Sequence, residues 1–404
     1  MKTRLFAVIA LLFTLCACQN GPHPKWTYDS VVYELNVRQY TPEGTFAAAQ
    51  EELPRLKELG VDVVWLMPIY QIGEKERKGS LGSYYAIKDY KTVNPEFGTI
   101  EDFDAFVDAA HDCGLRVILD WVANHTSPDA AWVTEQPADW YYRDSLGNTM
   151  VEYDWTDIAK LNYENADVRV AMEDAMRFWL DRGIDGFRCD VAYQIPQDFW
   201  SSVLPKFRRE YRRPLYFLAE GEEVWLHEAG FDATYGWKLH HLLNDIAQGK
   251  AGVEELAAYV KEDAEAYPAE AFRLMFTSNH DENSWSGTEF ERMGDAANAM
   301  MVLCFTLPQG QPLIYSGQEL GNDHRLQFFE KDCLTPSDPE AFTAFFKQLC
   351  ALRHDRPALA SGEKGGAFEL VSTEDSTIVF NRVLPEDTVK VSVQLKAPWN
   401  WSVE

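Results

Sequence analysis

At 404 residues, 46% of them hydrophobic and 13% aromatic, the chain has material for one large α/β barrel with appendages or for two to three ordinary domains, which excludes a disordered chain. Its formal charge of −27, from 37 Lys plus Arg against 64 Asp plus Glu with no dense basic block, repels phosphate backbones and so excludes nucleic acid as a partner. Neutral ligands meet no such barrier, and 13 Trp, 18 Tyr and 23 Phe include enough amphipathic rings to furnish a stacking cleft for sugars.

The chain begins MKTRLFAVIALLFTLCACQN. Lys2 and Arg4 precede an apolar run at 5–15 that is too short to span a bilayer, which predicts an export signal over 1–17. Leu15-Cys16-Ala17-Cys18 resembles a bacterial lipobox, with Cys18 as the lipid-bearing first residue of the mature chain; a plain secretory signal cleaved nearby is the alternative. The expected location is the cell envelope, with a membrane as partner only through that anchor. Residues 18–25, with Pro and Gly, read as a tether. Cys113, Cys189, Cys304, Cys333 and Cys350 match no metal or disulfide spacing and read as small buried hydrophobes, a Cys333 to Cys350 bridge being left open.

Strand and helix then alternate. Strands are predicted at 31–36, 61–67, 116–121, 186–191, 215–219, 230–234, 273–278 and 313–316, and helices at 46–59, 100–113, 168–182 and 340–353. LGVDVVWLMPI around 61–67 is a nearly continuous apolar run, as expected of a parallel strand buried on both faces. The alternation stops over 125–166, rich in Trp, Tyr, Asp and Pro, which reads as an inserted lobe after strand three. Eight strand and crossover units predict an α/β fold of the (β/α)8 TIM barrel type over 26–124 and 167–356. Beyond residue 357, short alternating strands at 367–371, 377–383 and 389–395 predict a small C-terminal antiparallel β-domain over 357–404. The oligomeric state is left open.

Barrels of this kind carry their chemistry at the carboxyl ends of strands. Those ends hold Asp120, Asn124 and His125, then Arg188 and Asp190, then Glu220, then His280 with Asp281. In GFRCDVAY (186–193) the period of a strand puts Arg188 and Asp190 on one face, and burying either charge is costly unless the two satisfy each other. Asp190 is therefore expected to be held ionised by Arg188, as a nucleophile must be. Glu220 has no cation beside it in sequence, and Glu222 and Glu223 follow it, so it suits a general acid that later serves as base. Cleavage of a glycosidic bond with retention needs two such carboxyls about 5 to 5.5 Å apart, which adjacent barrel strands can supply.

DWVANH (120–125), GFRCD (186–190), FLAEGE (217–222) and TSNHDE (277–282) stand in order, supported by GVDVVWLMPI and GSYYAIKDYKTVNPEFGT. With them the chain resembles the α-amylase family of retaining glycoside hydrolases from about residue 26 to residue 353. The resemblance implies Asp190 as nucleophile, Glu220 as acid and base, and Asp281 as the residue that binds hydroxyls of the distorted ring. It implies sugar binding by His125 and His280, a stacking platform at Tyr85, and a structural place beneath the site for Asp120. It implies an α-glucan or malto-oligosaccharide substrate and no cofactor for the chemistry.

Two positions depart from the family pattern. Tyr193 and Gln194 stand where many members carry a Lys-His pair. Ala159-Lys160-Leu161-Asn162 replaces the Pro-Asp-Leu of calcium-dependent members, so Lys160 would put an ammonium where the metal sits, and Asn124 would be the orphan of the usual site. A structural calcium is thus not expected, Asn124 and Asp157, with Asp154, being the weak metal candidates. The competing readings are a non-catalytic tethered glycan-binding protein, a glucosyl-transferring member of the same family, and a divalent-metal hydrolase, against which Arg188 beside Asp190 would compete with a cation.

Overall fold

The computed structural model describes residues 22–404. The expected export signal and Cys18 lie outside the described residues. The end of the expected tether is docked: His23 is buried, with Nδ1 2.8 Å from Asp232 Oδ1 and Nε2 2.8 Å from the Glu270 carbonyl.

Eight parallel strands close a barrel: β1 (Val32–Leu35), β2 (Val63–Leu66), β3 (Arg116–Trp121), β4 (Gly186–Cys189), β5 (Tyr216–Ala219), β6 (Ala233–Tyr235), β7 (Phe272–Met275) and β8 (Gly310–Tyr315), with β8 paired to β1. Alternation sorts the side chains. Val32, Val63, Trp65, Ile118, Tyr216, Leu218, Tyr235 and Leu274 pack inside the barrel, while Tyr33, Val64, Leu119, Phe187 and Phe217 belong to the larger core under the helices. Further along the inward column stand Glu34, Asp120 and Arg188, all buried at the carboxyl ends. Register sets Asp120 directly beside Arg188, and Glu34 beside Trp65. Gly186 has φ of +151°, and a Cβ there would lie 1.7 Å from the Tyr216 carbonyl oxygen, so only glycine lets β4 approach β5 at this level.

Several expected boundaries are corrected. The helix predicted over 46–59 is two, Phe46–Gln50 and Leu53–Leu59, because Pro54 has no N–H to continue the ladder and instead sits in the first turn of the second. The fourth strand stops at Cys189, not at residue 191, because Val191 adopts φ of +37° and ψ of +44°, a left-handed turn. A ribbon of Tyr70–Ile72 against Ile87–Val93 was not predicted; its register is irregular, which erases the period of two. Residues of the insertion form a second ribbon, His125–Thr126 against Ala159–Lys160, with a short helix at Ala131–Glu135.

The chain ends in an antiparallel sheet of Ala367–Ser372, Thr377–Val383, Thr388–Gln394 and Trp401–Val403, the last too short and exposed to show in sequence. Its inner face buries Ile378, Phe380, Val389, Val391 and Val393, and Arg382 ties it to the barrel through the carbonyl of Thr306 at 2.8 Å. The five described cysteines are free thiols. Among the described residues no helix is long and apolar enough to cross a membrane.

Candidate active site

The carboxyl ends of β1, β3, β4, β5 and β7 surround a pocket of about 600 Å³ that Tyr85, His125, Asp190, Glu220, His280 and Asp281 line. Its floor is built on Arg188. Buried completely, the guanidinium offers Nη1 to Asp120 Oδ1 at 2.8 Å and to Asp190 Oδ1 at 3.1 Å, and Nε to the Tyr235 hydroxyl at 3.2 Å. Nη2 stands 2.8 Å from Glu220 Oε2, an ion pair outside hydrogen-bond alignment. Trp65 lies under the guanidinium at 5.0 Å. One cation thus serves three carboxylates.

This corrects the expectation for Asp190. Burial first, and then the charge of Glu220, push its carboxyl well above the ordinary range, and Arg188 only partly offsets them. Arg188 is divided with Asp120 and Glu220, so it cannot hold Asp190 low in the free site. It also means that Glu220, expected to lack a cation, has one in space.

Glu220 is fixed from the nucleophile strand. Its Oε2 accepts from the Val191 N–H at 2.8 Å, and its carbonyl accepts from the Ala192 N–H at 3.0 Å. The left-handed turn at Val191 is what aims that N–H back at β5. Such a conformation costs a β-branched residue of the order of 1–3 kcal/mol, and it persists where the surroundings impose it.

His280 and Asp281 follow β7. His280 Nδ1 lies 2.5 Å from Glu34 Oε1, and its Nε2 lies 2.8 Å from the Tyr85 hydroxyl and 3.3 Å from Asp281 Oδ2. Burial alone would lower this imidazole, but Asp281 and Glu34 outweigh it and push it up to about 9. It is an imidazolium. The Tyr85 hydroxyl donates to Asp120 Oδ2 at 3.0 Å, and the Tyr85 ring lies nearly parallel to those of His280 and Phe328. His125 is the opposite case: burial drives it down to about 3, so it is neutral. Asn124 Nδ2 donates to its Nδ1 at 3.3 Å, and its Nε2 has no partner among the described residues.

All seven expected site residues therefore meet at one mouth, with Asp120 beneath them. Glu34 and Val191 were missed. Glu34 carried a readable signal, a lone charge in the apolar run VVYEL, whereas Val191 depends on a backbone turn.

The residues do not fit the calcium expected of some members. Lys160, ion-paired with Glu152, borders the same small cavity as Asn124, so a cation there would meet a like charge. Asp157 borders the other pocket and pairs with Lys78 at 3.2 Å. Among the described residues no group of three His, Cys, Asp or Glu is placed to hold a metal.

Comparison with known proteins agrees with this geometry. The family profile described as alpha amylase, catalytic domain, matches residues 27–144 and 134–214. A crystal structure of an α-amylase from Lactobacillus plantarum superposes with a TM-score of 0.84 at 31% identity, covering 91% of this chain and 89% of that one. A maltogenic α-amylase from Thermotoga neapolitana gives 0.83 at 28% identity, covering 91% of this chain and 86% of that one. The α-amylase MalA of Haloarcula japonica is 32% identical over 353 residues, 84% of this chain, which spans 50% of that protein's length. The barrel, the order of its site residues and these likenesses together establish that the chain belongs to the α-amylase family.

Proposed function

We propose that the protein is a retaining glycoside hydrolase that cleaves α-glucosidic bonds in α-glucans or malto-oligosaccharides by double displacement. Asp190 attacks the anomeric carbon to form a covalent glycosyl-enzyme, while Glu220 gives its proton to the departing glycosidic oxygen. Glu220 then takes a proton from water, which opens the ester with net retention. Asp281, His280 and the free Nε2 of His125 hold ring hydroxyls, and Tyr85 underlies the ring that is cleaved.

The observation that carries this reading is the sharing of Arg188 by Asp190 and Glu220, at 3.1 and 2.8 Å. Two carboxyls from neighbouring strands on one guanidinium set a nucleophile and a proton donor against a single buried anchor. The largest charge raising Asp190 is that of Glu220. The attacking form of Asp190 is its carboxylate, which Arg188 supports in part against burial and the charge of Glu220. Relatives named oligo-1,6-glucosidase and cyclomaltodextrin glucanotransferase support α-glucans as the substrate class.

The test is turnover of malto-oligosaccharides followed by NMR of the first-formed anomer, with Asp190→Asn and Glu220→Gln as controls. An α-anomer from the parent and none from either variant is expected; a β-anomer, or binding without release of reducing sugar, would overturn the reading. Export with a lipid at Cys18 is inferred from Lys2, Arg4 and the apolar run after them. Cys18→Ala should then move the protein from the membrane fraction to the soluble one.

A further inference from the structure

The charged loop GEKERKGSLG at 73–82, which follows β2, is tied to two other loops around the pocket. Towards the inserted lobe, Lys78 Nζ reaches Asp157 Oδ1 at 3.2 Å and donates to the Asp154 carbonyl at 3.3 Å. Asp157 is buried, so this pair is better shielded from water than an exposed one. Towards the segment after β8, the Ser80 N–H donates to Glu330 Oε1 at 2.9 Å, its hydroxyl donates to the other Glu330 oxygen, and the Leu81 N–H donates to the Phe329 carbonyl at 3.0 Å. Gly79 has φ of +61°, and a Cβ there would stand 2.5 Å from Phe329 Cβ. Only glycine allows that contact. The loop is a bar with both ends fastened.

Which end of the pocket it closes follows from Glu220. A proton donor faces the leaving group, and beside Glu220 stands Tyr193, whose Cβ is 3.4 Å from where a Cβ on Gly221 would lie. Tyr193 and Tyr153, their hydroxyls 3.4 Å apart, are 38% and 65% exposed, so the leaving-group end opens to water between aromatic faces. In the other direction the rings of Tyr85, Phe328 and Phe329 follow one another, Phe328 lying 6.2 Å from Tyr85 and 5.2 Å from Phe329. That row ends on the bar. Lys78, Asp157 and Phe329 all line the pocket there.

We propose that the bar makes the glycone end of the pocket a dead end, so that the protein releases short saccharides from the non-reducing ends of α-glucan chains and does not cut within them. The proposal rests on the catalytic reading above, because that reading says which end is which. A substrate whose non-reducing terminus carries a bulky cap has no room to seat its reactive bond over Asp190. The bar, not the catalytic groups, sets this limit.

The test compares 4-nitrophenyl maltopentaoside with the same compound capped by a 4,6-O-benzylidene group at its non-reducing end. Hydrolysis is measured with the parent, and binding by calorimetry with Asp190→Asn, so that the steric claim is read even where turnover is lost. The capped compound should bind at least tenfold more weakly, about 1.4 kcal/mol, and be cleaved more slowly by at least the same factor. Replacing 74–80 by Gly-Gly, or the paired change Lys78→Ala with Glu330→Ala, should restore the capped compound while leaving the uncapped one within a fewfold of the parent. Equal handling of both compounds by the parent would overturn the proposal, as would refusal of the cap that persists after the bar is cut. Failure of the catalytic reading has a different signature, namely binding discrimination retained with no hydrolysis of either compound.

Discussion

The Nε2 of His280 lies 2.8 Å from the hydroxyl of Tyr85, whose own proton points to Asp120 Oδ2 at 3.0 Å. With Glu34 on Nδ1, the imidazole donates at both nitrogens, at the head of a hydrogen-bonded line in which Tyr85 and Arg188 both donate to Asp120. It holds the charge of His280 at the pocket wall, 3.3 Å from Asp281.

Glu34→Gln should therefore lower the pKa of His280 from about 9 towards its ordinary value of about 6.5. Because the folded value lies above the unfolded one, the stability this histidine contributes is complete below about 6.5 and is lost as pH rises through about 9. The variant should lose less stability over that interval, and the alkaline limb of its kcat/KM profile should move to lower pH. NMR titration of the imidazole together with the pH–rate profile reads both. A limb that stays in place while the imidazole shifts would mean that His280 does not act in its charged form.

Asp190→Asn should raise the melting temperature at pH 7 while reducing turnover by about 10⁴-fold or more. The free site holds Asp190 above its unfolded pKa, so the native state binds the extra proton and stability falls as pH rises between the two values. Asn removes the charge that burial and Glu220 oppose. Calorimetry at pH 4 and pH 7 should show the gain at the higher pH only.

Arg188 is the counter-ion of a floor in which three carboxylates touch one guanidinium. Arg188→Ala should cost about 3–5 kcal/mol, the scale for stripping one partner from a buried charge cluster. Arg188→Lys keeps the charge but not the fork, and cannot reach Asp120, Asp190 and Glu220 together. Denaturant midpoints should place Lys nearer to Ala than to the parent.

The barrel strands were legible because runs such as VVWL and RVILDW are buried on both faces, and the meeting of Arg188 with Asp190 followed from the period of a strand. What failed was non-local. That Asp120 and Glu220 draw on the same guanidinium depends on cross-strand register between β3, β4 and β5, which no window of sequence contains. The shift of Asp190 is therefore upward, where the sequence led to the expectation of a downward one. Lys78 sits in a loop with no period to read, and the ribbon ending at Val93 is irregular in register, so its apolar residues do not alternate. Val191 reads as one more strand residue, and only the backbone shows it turning.

Chelation with EDTA should leave both the melting temperature and the activity unchanged, since the inserted lobe is pinned by Lys160 and Glu152 beside Asn124. Both partners are partly shielded, 27% and 19% exposed, so Lys160→Met should cost about 1 kcal/mol, the upper end of the range for exposed pairs and well below the cost of breaking a buried one. Added calcium should not restore the loss, because Glu152 and Asn124 alone offer too few oxygens for an ion that takes six to eight. A melting temperature that falls on chelation of the parent and recovers with calcium would instead mean that the lobe holds a metal through another set of oxygens. Scanning calorimetry of parent and variant, each with EDTA and with calcium, separates these outcomes, because an ammonium fixed in the chain cannot be removed by a chelator while a bound ion can.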